Sequence, residues 1–176
     1  MIFETERLFI RPWKRDDAER LFELAKDSHV GPPCGWTPHV NEKESRRVLR
    51  DILMNEYTYA ILLKETEAVI GNVALMPYCE SRFAQSETEA ELGFWLGYPY
   101  WGNGYMAEAC KCLLEHGFTE KGLNVIWCAH NLDNHNSMRV QEKCGFRFHH
   151  EDVYYARELD EKIRVKVNCI KKEERG

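Results

Sequence analysis

The sequence predicts an α/β fold of the α+β kind: one domain over residues 1–176, with a mixed, mostly antiparallel sheet of about seven strands and about four helices packed against it. Three observations carry this. Residues 57–63 and 69–76 are apolar runs separated by the polar Lys64-Glu65-Thr66-Glu67, which reads as a hairpin, and residues 147–157 and 163–171 repeat the arrangement at the end of the chain. Between the hairpins, residues 90–96, 107–121 and 125–129 run strand, helix, strand. At that spacing they make a right-handed βαβ unit with parallel strands.

The remaining elements follow in order. Residues 7–13 form a strand stopped by Pro12. Asp16 or Asp17 caps a helix that carries Ala18, Leu21, Phe22, Leu24 and Ala25 on one side and ends near Ser28. Residues 29–39 hold three prolines, two glycines, Trp36 and two histidines, a loop long enough to be functional in a compact domain. Asn41 and Glu44 make a capping box for a second helix running through Val48, Leu49, Ile52 and Leu53 towards Asn55. Residues 79–87 are polar and without period, hence a loop. Asn134 caps a short fourth helix that Gly145 terminates.

Composition bounds the function. The longest apolar stretches fall short of a membrane span, and the first residues lack the order of a signal peptide, so a cytoplasmic protein without a membrane partner is expected. Seven cysteines form no Cys-x-x-Cys pair, which leaves reduced, mostly buried thiols and no metal site. The formal net charge of -5 argues against a nucleic-acid partner and suits a cationic one.

The chemistry concentrates at residues 99–109. Gly102 and Gly104 permit positive φ and close approach to the backbone. The helix that follows starts with unpaired amides and the positive end of its dipole, a site for a phosphate or pyrophosphate. A dinucleotide fingerprint, Gly102-x-Gly104-x-x-Ala107, is the rival reading. It wants an acid at the end of the next strand, where His130-Asn131 stands instead.

Trp101-Gly102-Asn103-Gly104-Tyr105-Met106 resembles the Arg/Gln-x-x-Gly-x-Gly/Ala pyrophosphate loop of the GNAT superfamily of acetyl-coenzyme A dependent N-acetyltransferases. The wording Tyr-Trp-Gly-x-Gly-Tyr followed by Glu-Ala is similar to the branch that acetylates ribosomal-protein N-termini. Met106 departs from the family's small residue. A second passage matches the superfamily's Asn-x-x-Ser/Ala and Lys-x-Gly-Phe at Asn134, Ser137, Lys143, Gly145 and Phe146. The resemblance implies acetyl-CoA as cosubstrate, held by residues 101–107 and by Phe94, Trp95 and Leu96, one of whose N–H groups would face the thioester carbonyl. It gives Asn134 a place beside the pantetheine and Ser137 one near the sulfur. A tyrosine that protonates the thiolate in many members is replaced by Gln141, which is no acid, leaving Ser137, water or Tyr155.

The acceptor would be a primary amine, most readily a protein or peptide N-terminus, whose pKa of about 8 makes deprotonation easier than for lysine. Glu91 shares one side of its strand with Gly93 and Trp95 and is the candidate general base acting through water, with Glu89 as understudy. Trp36 and His39, with Tyr155, are the substrate-side candidates. An aminoglycoside, polyamine or amino-acid analogue is the alternative acceptor, and a CoA-binding module without catalysis the alternative of another class. A monomer or a homodimer would serve equally.

Overall fold

A computed structural model describes residues 1–174. Eight strands form one sheet in the order β1-β2-β3-β4-β5-β6-β8-β7: β1 (Phe3–Glu4), β2 (Leu8–Pro12), β3 (Thr58–Leu63), β4 (Val69–Pro77), β5 (Glu89–Leu96), β6 (Val125–Asn131), β7 (Arg147–Ala156) and β8 (Glu161–Lys171). Only β5 and β6 pair in parallel; every other neighbour is antiparallel. The helices are α1 (Ala18–Ala25), α2 (Glu42–Val48), α3 (Tyr105–Thr119) and α4 (His135–Lys143).

Strand alternation sorts the core onto two faces. Along β3, Tyr59 and Ile61 pack with Leu92, Leu113 and Phe118 beneath α3, whereas Ala60 and Leu62 pack with Trp13, Leu21 and Leu24 beneath α1. Fully burying a leucine such as Leu92 or Leu113 contributes about 1.5–3 kcal/mol. Trp127, Val165 and Val167 make a smaller cluster with Phe83 and Tyr154.

Two differences from the sequence reading have physical causes. The extra strand is β1, whose two residues are too short to show a period, though they pair with Phe9 and Ile10. The second helix opens with half of the expected capping box, Asn41 Oδ1 accepting from Glu44 N at 2.9 Å while Glu44 Oε2 accepts from Val40 N and not from Asn41 N, and beyond Val48 it widens into a π turn over Leu49–Leu53, with Met54 N bonded to Leu49 O. No proline or glycine marks that change, and apolar spacing alone does not separate the two turns.

What positions the site is a divergence. β5 and β6 pair at Glu89, Ala90 and Glu91, opposite Val125, Ile126 and Trp127, and nowhere further. β5 then stays with β4 as far as Leu96, while β6 stays with β8 as far as Asn131. The sheet therefore splits into a wedge, its apex at Glu91 and Trp127.

Candidate active site

A cavity of about 630 Å³ fills the wedge. Leu92 to Leu96 line one wall, Ala129 to Asn131 the other, the start of α3 closes one end, and residues of the loop from His29 to Trp36 line the cavity as well. The exposed edge of β5 follows from parity. Gly97 N donates to Ile70 O on β4, so 97, 95 and 93 point their main-chain groups at β4, and 96, 94 and 92 point theirs into the wedge. Trp101 Nε1 donating to Leu96 O at 2.8 Å agrees. Among Phe94, Trp95 and Leu96, the amides available to a ligand are thus those of Phe94 and Leu96.

At the end of the wedge, Gly102 and Gly104 both adopt left-handed backbone, with φ of +81° and +80°. A Cβ at Gly102 would meet nothing within 4 Å, so the loop is open where a ligand would approach. The first helical bond of α3 is Glu108 N to Gly104 O, which leaves the amides of Tyr105, Met106 and Ala107 ahead of the ladder; all three residues line the cavity. Met106 buries its side chain in the core at 4% exposure, which answers how a large residue fits at that motif position. Asn103 is the loop residue that does not line the cavity: its Nδ2 folds back onto the carbonyls of Tyr100 and Trp101, both at 3.1 Å.

Glu108, in the first turn of α3, would repel a phosphate if it stood alone. Thr5 Oγ1 donates to its Oε1 at 2.6 Å, Arg7 N donates to the same oxygen and Arg7 Nε to Oε2, both at 2.8 Å. Burial pushes this carboxyl up, but those bonds outweigh it and hold it below the usual range. Arg7 also donates to the Asn103 carbonyl and lies over the Tyr105 ring, tying the chain's start to the glycine loop. No local pattern announced this contact across about a hundred residues.

Glu91 stands at the apex, buried, with Ser81 Oγ and Arg82 N both donating to its Oε2 at 2.9 Å. It lines the cavity. Glu89 does not: its Oε2 accepts from Trp127 Nε1 at 2.7 Å and from Gln85 N at 3.0 Å, a fastening between strands. Glu91 is the only carboxylate among the described residues lining the cavity, against Arg82, Arg139 and Lys143. The chain is acidic as a whole, yet this cavity is cationic, with Arg139 and Lys143 on α4 available to a polyanion.

Asn134 and Ser137 line the cavity too. Asn134 Oδ1 caps α4 by accepting from Ser137 N. Gln141, fully buried, accepts at Oε1 from Asn168 Nδ2 at 2.6 Å and donates from Nε2 to Ser137 Oγ at 3.2 Å. The Ser137 hydroxyl, already accepting, keeps its proton for another partner.

Trp36 lines the cavity, edge-on to Trp95. His39 and Tyr155, expected on the substrate side, do not. His39 is buried with Nδ1 2.7 Å from Ser45 Oγ, a strut between loop and α2. Tyr155 is exposed and bonded to Asp160, and its neighbour Tyr154 points into the cavity. The cross-strand partners carried the signal: Tyr154 faces Ile163 and Tyr155 faces Lys162. Cys34 also lines the wall, as an exposed residue.

Burial pushes the His39 imidazole below its usual value, against the pull of Glu44 and Glu158 and with the help of Arg47. The folded state then binds this proton less tightly than the unfolded chain. Its stability contribution is present above the unfolded pKa of about 6.5 and is lost as pH falls below it. The melting temperature should drop from about pH 7.5 to about 5.5, and less so in His39→Asn; calorimetry at the two pH values checks this.

A family model for the acetyltransferase (GNAT) domain matches residues 7–147. The chain is 28% identical over 148 residues to the uncharacterized N-acetyltransferase p20 of Bacillus licheniformis, covering 81% of this chain and 80% of that one. It is 26% identical over 175 residues to a Bacillus subtilis (strain 168) protein provisionally named ribosomal N-acetyltransferase YdaF, covering 86% and 91%. A solved acetyltransferase (GNAT family) from Bacillus anthracis superposes with a TM-score of 0.85 at 25% identity, over 99% of this chain and 100% of that one. With most of its length inside the family's domain and the glycine turn set at the mouth of the split sheet, the chain belongs to the GNAT family of N-acetyltransferases.

Proposed function

We propose that the enzyme moves an acetyl group from acetyl-CoA to the N-terminal amine of a protein or peptide, by direct attack within a ternary complex. The observation that carries this reading is the wedge itself: a glycine turn suited to a diphosphate at one end, a buried carboxylate at the apex, and an open strand edge between. Acetyl-CoA supplies the activated acyl group. In this reading the amides of residues 102–107 hold its diphosphate, with Arg139 and Lys143 for further negative charge. The main-chain groups of Phe94 pair with the pantetheine, and the Phe94 or Leu96 N–H receives the developing oxyanion.

Glu91 takes the proton from the amine, through water, and the Ser137 hydroxyl donates a hydrogen bond to the departing thiolate, which takes its proton from water. Ser137→Ala should cut kcat about tenfold or more, and Gln141→Met should reproduce part of the loss while CoA affinity holds, as steady-state kinetics with calorimetry would register.

For the acceptor, one carboxylate among three cationic side chains suits an amine without further positive charge and disfavours polyamines and aminoglycosides. The provisional name of the Bacillus subtilis relative points towards ribosomal protein N-termini. Thiol release from acetyl-CoA, followed across peptides, polyamines and aminoglycosides, tests this. Turnover with peptide N-termini is expected; transfer to polycations alone would overturn the reading.

A further inference from the structure

Arg82 is not needed by the chemistry above, yet it stands beside the apex. Its main-chain N–H is bonded to Glu91, and its side chain leads from there across the acceptor side of the cavity to the face of Tyr154, with Cζ 4.1 Å from the ring centre. The turn beneath it is fixed by one hydroxyl: Ser81 Oγ accepts from Phe83 N at 3.0 Å and from Ala84 N at 2.9 Å, and donates to Glu91. The loop passes close beside Tyr154 at Gly35, whose left-handed φ of +88° and missing side chain allow it: a Cβ there would lie 2.4 Å from the tyrosine oxygen. Glu158, which also reaches this loop, is engaged by Thr37 N and Oγ1. Among the described residues, no carboxylate pairs with the Arg82 guanidinium.

A guanidinium stacked on an aromatic ring keeps its edge donors for a planar anion, and a carboxylate is the matching partner. We propose that Arg82 is the acceptor-side anion receptor, and that the preferred acceptors are amines carrying a carboxylate within a residue or two of the amine. This rests on the reading above only in taking Glu91 as the place where the amine sits. An extended chain spans about 3.3–3.6 Å per residue, so the length of one arginine side chain from Glu91 corresponds to about two residues of peptide.

The test is binding, which does not depend on turnover. With CoA present, quenching of the cavity tryptophans is titrated with two matched pairs: tetrapeptides with glutamate or glutamine second, and a free apolar amino acid or its amide. The parent enzyme should bind the acidic member of at least one pair about tenfold more tightly, and in Arg82→Gln that ratio should fall to within about twofold. Arg82→Lys, which keeps charge but not the fork, should lie between. Equal binding of acidic and neutral members by the parent, or a preference that survives in Arg82→Gln, would overturn the proposal. A preference confined to the free amino acid would uphold Arg82 as the receptor and overturn the peptide N-terminus as acceptor.

Discussion

Replacing Glu91 by glutamine is expected to lower kcat by about 10²- to 10⁴-fold with little change in CoA affinity. The amide oxygen of glutamine can still accept from Ser81 Oγ and Arg82 N, so the turn that presents the side chain persists and only proton-accepting capacity is removed. Glu89→Gln is the matched control. Glu89 lies on the same strand but outside the cavity, tied to Trp127 and Gln85, so its replacement should act on stability and leave the rate within about threefold. Steady-state kinetics with thiol detection and calorimetry with CoA separate the two effects. A Glu91→Gln enzyme of parental rate would remove the general base from the account.

The second large effect is expected at the glycine turn. An L-residue in left-handed backbone costs about 1–2 kcal/mol, so Gly102→Ala and Gly104→Ala should each destabilise the fold modestly. Binding should suffer more. A Cβ at Gly102 meets open space in the protein alone, and that is the space a diphosphate needs in order to reach the amides. Gly102→Ala is expected to weaken CoA about 10- to 100-fold, and the double variant to abolish measurable binding. At Gly104 a Cβ would come no nearer than 3.5 Å to Arg7 Nη2, an ordinary contact, so the Arg7 tether should persist in that variant. Calorimetry reads the affinity, and thermal melting shows that the loss is not one of folding.

The parts of the site legible in the sequence were those written in backbone chemistry. Two glycines before a helix, an asparagine cap at Asn134 and a terminating Gly145 are local devices, and each is where its residue type demands. Glu91 was legible through strand alternation, because β5 is regular along its length beside β4. Tyr154 was legible only through its hairpin partner Ile163, because a bulge between Phe148 and His150 breaks the alternation counted from the start of β7. Arg82 and Arg7 were invisible for another reason. Arg82 meets Tyr154 about seventy residues away and Arg7 meets Glu108 about a hundred away, and no periodicity within a segment encodes such a meeting. Likewise the order of the last strands, with β8 between β6 and β7, comes from packing and not from sequence adjacency. The burial of His39 was not legible either, because a histidine in a long loop looks exposed, whereas this loop folds inward and uses the ring as a strut onto Ser45.

The central claim is that the split between β5 and β6 receives acetyl-CoA with its diphosphate on the glycine turn. A structure determined with acetyl-CoA bound tests it most directly. The account predicts diphosphate oxygens within hydrogen-bonding distance of amides in residues 102–107, pantetheine paired with the main chain of Phe94, and the acetyl group between Glu91 and Ser137. A diphosphate bound away from that turn, or a wedge closed by protein when the ligand is present, would contradict it.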